Sequence, residues 1–282
     1  RMTSFAAAAS SSASPAGSPA WLTFRDALHA EWTKLRTVPG TIWLLAGAVV
    51  ATAALGAVAD AATRCAAAAA ACQVDPAKTS LTGIYLSQAV VVILAVLIVG
   101  NEYGTGMMRV TLTAVPHRTT VLAAKAAILT VLVLAAGTVA IAGAILAGRL
   151  ILPGHGFTAA HGYPALSPGD GPVLRAACGS VLYLGLIGLL SLGAAAALRD
   201  TAAATGVVLG LLFLFPIIAT VAGPDWGRHL QQIGPMTAGL AVEDTTGLRG
   251  LPVAPWAGLG VLAAWAAVSL VAGWLVLRLR DA

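Results

Sequence analysis

Residues 101–118 read Asn-Glu-Tyr-Gly-Thr-Gly-Met-Met-Arg-Val-Thr-Leu-Thr-Ala-Val-Pro-His-Arg and separate two long apolar runs. A carboxylate (Glu102), a guanidinium (Arg109) and three bulky apolar side chains (Met107, Met108, Leu112) on one short segment equip it to hold another surface. Gly104 and Gly106 loosen the chain ahead of a short helix, with Met107, Val110 and Ala114 on one side and Met108, Leu112 and Val115 beside them. Pro116 disfavours helix at Val115 and ends it. Two uses fit this surface equally well: docking a soluble partner, or resting on lipid.

Other chemistry finds no support in the residue pattern. A phosphate-cradling ATP loop needs Gly-x-x-x-x-Gly-Lys-Ser/Thr, and none of Lys34, Lys78 and Lys125 follows a glycine. His29, His117, His155, His161 and His229 fall outside the apolar runs, and no His-Glu-x-x-His occurs. Cys65 and Cys72 lack a metal-ligand spacing. Ser180 and Ser191 have no histidine base in any apolar run, so they are expected to bond helix carbonyls or a neighbour. Neither an enzyme nor a metal site is expected.

The elements that position the 101–118 segment are apolar helices. The chain is 59% hydrophobic and 10% charged, with mean hydropathy +0.89. A helix rises about 1.5 Å per residue, so crossing a hydrocarbon core about 30 Å thick takes roughly 20 apolar residues. Six runs qualify, at 41–59, 84–100, 121–148, 173–198, 202–222 and 256–277. Barrel strands would alternate and be half as long. The expected fold is therefore all-α: one polytopic membrane domain over 21–282, preceded by an Ala/Ser/Pro-rich tail at 1–20 that is expected to be disordered. The central stretches of all six runs carry no Asp, Glu, Lys, Arg or His, which argues against an ion-coupled carrier. Lys125 and Arg175 lie near run ends, where they can snorkel.

Ahead of the first run, Trp21, Phe24, Leu28, Trp32 and Leu35 recur at steps of three and four, the signature of an amphipathic helix. Lys34 and Arg36 lie near its end, and Pro39-Gly40 turns the chain toward the membrane. The two tryptophans favour a helix lying flat at the headgroup boundary over one docked on the protein itself. Six crossings put both termini on one side. If that side is the cytoplasm, ten basic and five acidic residues face inward, against six and six outward. This follows the positive-inside bias, so the basic balance reports orientation rather than nucleic-acid binding.

Cys178 reads as packing within the fourth run. If the alanine-rich loop holding Cys65 and Cys72 is helical, the two are about 10.5 Å apart, too far for a disulfide; an irregular loop would permit one. Gly206 and Gly210 form Gly-x-x-x-Gly, which allows close helix contact. Pro216 should kink the same run.

Glu102, Gly104, Thr105, Arg109, Pro116, Arg118 and Lys125 together form a pattern that resembles the segment after the second span of type-2 ABC-transporter permeases. Glu31-Trp32-Thr33-Lys34-Leu35-Arg36 is similar to the stretch that opens that family. The resemblance implies a membrane subunit of an exporter, working as a homodimer or with a paralogue. Two separate ATPase subunits would carry the ATP and Mg, and this chain would bind no cofactor. It makes 102–112 (Glu102, Tyr103, Gly104, Thr105, Met107, Met108, Arg109, Leu112) a cytoplasmic coupling helix, with Pro116, Arg118 and Lys125 anchoring the third span. It further implies that 223–255 folds back as short helices. The expected setting is a bacterial plasma membrane, and the expected cargo an amphipathic drug, peptide or lipid. A non-transporting scaffold or sensor, or an ion-coupled carrier, is the alternative.

Overall fold

The computed structural model describes residues 20–37, 39–65, 74–107, 118–159, 163, 166–167 and 169–280. Among them all regular structure is helical. Helix α1 (Ala20–Thr37) precedes α2 (Pro39–Ala62), whose proline stands at the first position, where its missing N–H costs nothing. Short α3 (Pro76–Ser80) runs through a 3-10 turn, Leu81–Gly83, into α4 (Ile84–Gly104). Next come α5 (Arg118–Ile151), α6 (Gly171–Leu198) and α7 (Thr201–Val221). Between α7 and the last helix, α10 (Pro255–Arg280), lie α8 (Pro224–Ile233), α9 (Pro235–Gly239) and two 3-10 turns, Leu240–Glu243 and Leu248–Gly250.

Six of these segments, Pro39–Ala62, Pro76–Gly104, Arg118–His155, Gly171–Leu198, Thr201–Val221 and Pro255–Leu279, are long and apolar enough to cross a membrane. The expected spans are all present. Most are longer than hydropathy alone places them, because helix hydrogen bonding continues into polar residues until a cap stops it. Asp75, for example, caps α3 by accepting from the N–H groups of Ala77 and Lys78 at 3.1 and 3.3 Å. Residues 1–19, where the disordered tail is expected, lie outside the described residues, as do 108–117.

α6 is the hub, packing on α4, α5, α7 and α10. Small residues permit the close approach: a Cβ on Gly193 would stand 2.4 Å from the carbonyl carbon of Ser269 on α10, and the Ser269 hydroxyl donates to Leu190 O at 2.7 Å. α2, α7 and α10 sit at the periphery with apolar outward faces, among them Trp43, Val58, Leu214 and Val268. Those faces suit lipid rather than water. Pro216 lies inside α7, which continues past it to Val221.

An even number of crossings brings α1 and the end of α10 to one end of the bundle, the terminal end. The other, the loop end, carries residues 63–65, 74–80, 149–159, 169–175 and 222–254. At the loop end Cys65 is disulfide-bonded and lies in non-helical chain, the condition under which a bridge was possible; Cys72 is outside the described residues. Cys178 is exposed on the outer face of α6, not packed inside as expected. The stretch 223–255 forms short helices, as anticipated, and they pack on α6, α7 and α10.

Candidate functional site

At the terminal end, α1 docks against α5 and the start of α2. Phe24, Ala27, Leu28, Glu31, Lys34 and Leu35 turn toward the bundle, while Trp32 and Arg36 are exposed. The helix was expected to lie on lipid rather than on the protein; it packs on the bundle through part of the apolar stripe, with Trp32 left facing outward. The helix is rolled so that Glu31, only 4% exposed, faces inward. The reason is electrostatic. The Lys125 ammonium, on the second turn of α5, lies 2.8 Å from Glu31 Oε2 and 2.8 Å from Glu102 Oε1. The Lys34 ammonium lies 3.0 Å from Glu31 Oε1 and 2.7 Å from Glu102 Oε1. Two acids and two bases alternate in a ring that joins α1, α4 and α5. Burial would lower the Lys34 pKa, but the hydrogen bonds and charges of Glu102 and Glu31 outweigh it and raise it.

The ring changes the reading of two residues. Glu102 was expected on the surface, in contact with a partner; it is 6% exposed and points into the protein. Lys125 was expected to snorkel from the end of a span; it is 2% exposed and held between two carboxylates. Tyr103 lies beneath the Arg199 guanidinium, 5.6 Å from its ring centre. Gly104 ends α4, Thr105 caps it, and Met107 is exposed. Met108, Arg109, Leu112 and Pro116 lie outside the described residues. The Trp21 backbone belongs to α1.

Two arginines tie the end of α10 to the same region. Arg118 donates to Leu277 O at 2.6 Å, and Arg199 to Val276 O at 2.9 Å. Both satisfy carbonyls at a helix C-terminus, where a cation is also favoured by the helix dipole. Arg118 thus anchors by gripping a neighbouring helix.

At the loop end, Asp75 also accepts from the backbone and hydroxyl of Thr245 and the backbone of Thr246, and Lys78 lies 2.7 Å from Asp244. Glu243, the residue before Asp244, is 1% exposed, and the Ser180 hydroxyl on α6 donates to it at 3.1 Å. Burial pushes the Glu243 carboxyl up to about 8, against the opposing pull of Ser180 and Lys78. Deeper in, Tyr183 donates to Gln88, which in turn donates to Met236 Sδ at 3.4 Å. Asp60, at the end of α2, is fully buried and receives the Ser80 hydroxyl at 3.0 Å. The central stretches of the spans carry no ionisable residue, but the interior does receive two carboxyls, Asp60 from a helix end and Glu243 from a loop. The short helices of this loop were expected from the family resemblance, with which its turn-forming residues Pro224, Gly234, Pro235 and Pro252 are consistent, and nothing in the sequence indicated that the loop carries a carboxyl inward.

The fold and its apolar surface define a six-span, all-α, multi-pass membrane protein. No family model matches the chain, and no curated protein matches it.

Proposed function

We propose that this chain is the membrane-spanning permease subunit of an ATP-driven exporter, powered by a separate ATPase subunit that docks on the segment beginning at Glu102. The observation that carries the reading is the ring of Glu31, Lys34, Glu102 and Lys125. It joins the two helices that flank residues 105–117 to each other and to α1. A push on that segment would move three elements together, as coupling to an external motor requires. The ring thereby gives Glu102 and Lys125 a role in transmission, and leaves Met107, Met108, Arg109 and Leu112 to touch the partner. Both termini would then be cytoplasmic in a bacterial plasma membrane. Gly206 and Gly210 have no atom within 4 Å of a would-be Cβ, which supports a second copy or a paralogue packing on α7. With apolar spans, the cargo is amphipathic or hydrophobic.

The test is to purify the protein with its membrane neighbours and measure nucleotide turnover. An ATPase subunit is expected to accompany the wild type, and Arg109→Glu is expected to abolish cargo transport without unfolding the bundle. Labelling of a cysteine at Thr105 from outside intact cells would overturn the reading. Buried Glu243 favours a second reading, a proton-coupled carrier. In that case transport would survive ATP depletion and collapse with the proton gradient. A scaffold or sensor would transport under neither condition.

A further inference from the structure

A cavity of about 500 Å3, half open to the surroundings, lies between α1, the first turns of α2 and the last turns of α4. Its body is apolar, lined by Leu44, Leu94, Leu97 and Ile98, and its polar edge is formed by Lys34 and Glu102 of the charged ring. These two residues have one unused hydrogen-bonding position each. Glu102 Oε1 receives both lysines, while the buried Oε2 has no partner. An unsatisfied charged oxygen in the interior is costly, and the last carboxylate torsion is soft enough to turn it toward a donor. Lys34 has three N–H donors; two point to Glu31 and Glu102, and its side chain remains one-third exposed.

One spare acceptor and one spare donor, beside an apolar hollow, define the occupant. The ring itself is neutral, so a cationic or an anionic headgroup would bring net charge into a poorly solvated place, whereas a zwitterion would not. We propose that this cavity is a lipid site for a phospholipid with a primary-ammonium zwitterionic headgroup. The ammonium donates to Glu102 Oε2, the phosphate accepts from Lys34, and the acyl chain lies along Leu44, Leu94, Leu97 and Ile98. A quaternary headgroup of the same charge has no N–H to offer and leaves Oε2 unsatisfied. The site does not depend on the chain being a transporter.

The test uses the full-length protein in detergent, exchanged with phospholipids of identical chains and either ethanolamine or choline headgroups. Lipid retained after delipidating washes is measured by native mass spectrometry. Retention of the ethanolamine lipid is expected to exceed that of the choline lipid about ten-fold, as a hydrogen bond to a charged group would give. Leu97→Trp, which fills the hollow and leaves the ring intact, is expected to erase the preference; Leu44→Trp provides the same test from α2. Equal retention of the two headgroups in the wild type would overturn the proposal. So would a preference that survives a folded tryptophan variant, or phosphoethanolamine without chains binding as tightly as the lipid.

Discussion

At the terminal end of the bundle, Glu31, Glu102 and Lys125 each lie within 2.8 Å of an opposite charge. At the loop end, Glu243 is more deeply buried than Glu31 or Glu102, yet its nearest polar partner is the Ser180 hydroxyl. Both ends place carboxyls in an apolar interior, and the difference lies in what they do with the charge. The ring sets each of its acids against two ammonium groups at 2.7–3.0 Å. The loop end leaves Glu243 to hold its proton, because desolvation disfavours the charged form and no cation is close enough to compensate. A closed ring of alternating charges is directional, suited to fixing α1 against α4 and α5. A protonated carboxyl is a group whose state can change, so the two ends should respond to different perturbations.

The largest effect is expected from Lys125→Met. It leaves two carboxylates buried with only the one-third-exposed Lys34 between them. Removing one partner of a buried ion pair typically costs about 3–5 kcal/mol. Thermal unfolding in detergent should show a large loss, and α1 should become accessible to protease. A variant as stable as the wild type would mean that the ring contributes no cohesion.

Glu243→Gln sharpens the comparison from the other side. With the folded carboxyl at about 8 and an ordinary value of 4.5, proton binding favours the folded state. That stability is fully present below about 4.5 and is lost as pH rises through about 8. The amide cannot ionise, so the variant should be more stable than the wild type at pH 8 and above, with a flatter dependence of melting temperature on pH. Parallel pH profiles for the two proteins would place Glu243 in a solvated or ion-paired setting instead. Asp75→Ala should have a smaller effect, about 1–3 kcal/mol at neutral pH. It removes the cap of α3 and frees Thr245 and Thr246, which can be read as faster hydrogen exchange in 244–246.

The same contrast explains what was legible in the sequence. The six spans were readable because length and hydropathy are properties of each segment alone. Their ends were read short where capping, as at Asp75, carries a helix into polar sequence. α1 was recognisable as a helix, but its buried face was not. Trp32 is the more apolar residue, yet Glu31 turns inward because Glu102 and Lys125, distant in the chain, provide its counter-charges. Lys125 looked like a residue at the edge of the membrane for the same reason: one-dimensional position does not reveal a partner. Glu243 was the least readable, since it enters the bundle by tertiary folding of a polar loop that has no periodicity to follow. Asp60 lay one residue beyond the expected end of its span.

The last perturbation tests whether ion pairing alone separates the two ends. Lys78 and Asp244 are 2.7 Å apart at the loop end, as close as any pair in the ring, but the Lys78 side chain is 44% exposed. Water screens such a pair and ordering the long side chain offsets part of the attraction, so exposed pairs contribute about 0–1 kcal/mol. Asp244→Asn should therefore lower stability only slightly. The difference from wild type should vanish when salt shortens the screening length to about 3 Å, near 1 M. The loss in Lys125→Met should persist at the same salt, because ions do not reach a side chain that is 1% exposed. If both losses faded together with salt, burial would not be what distinguishes the ring, and its four charges would act as an ordinary surface cluster.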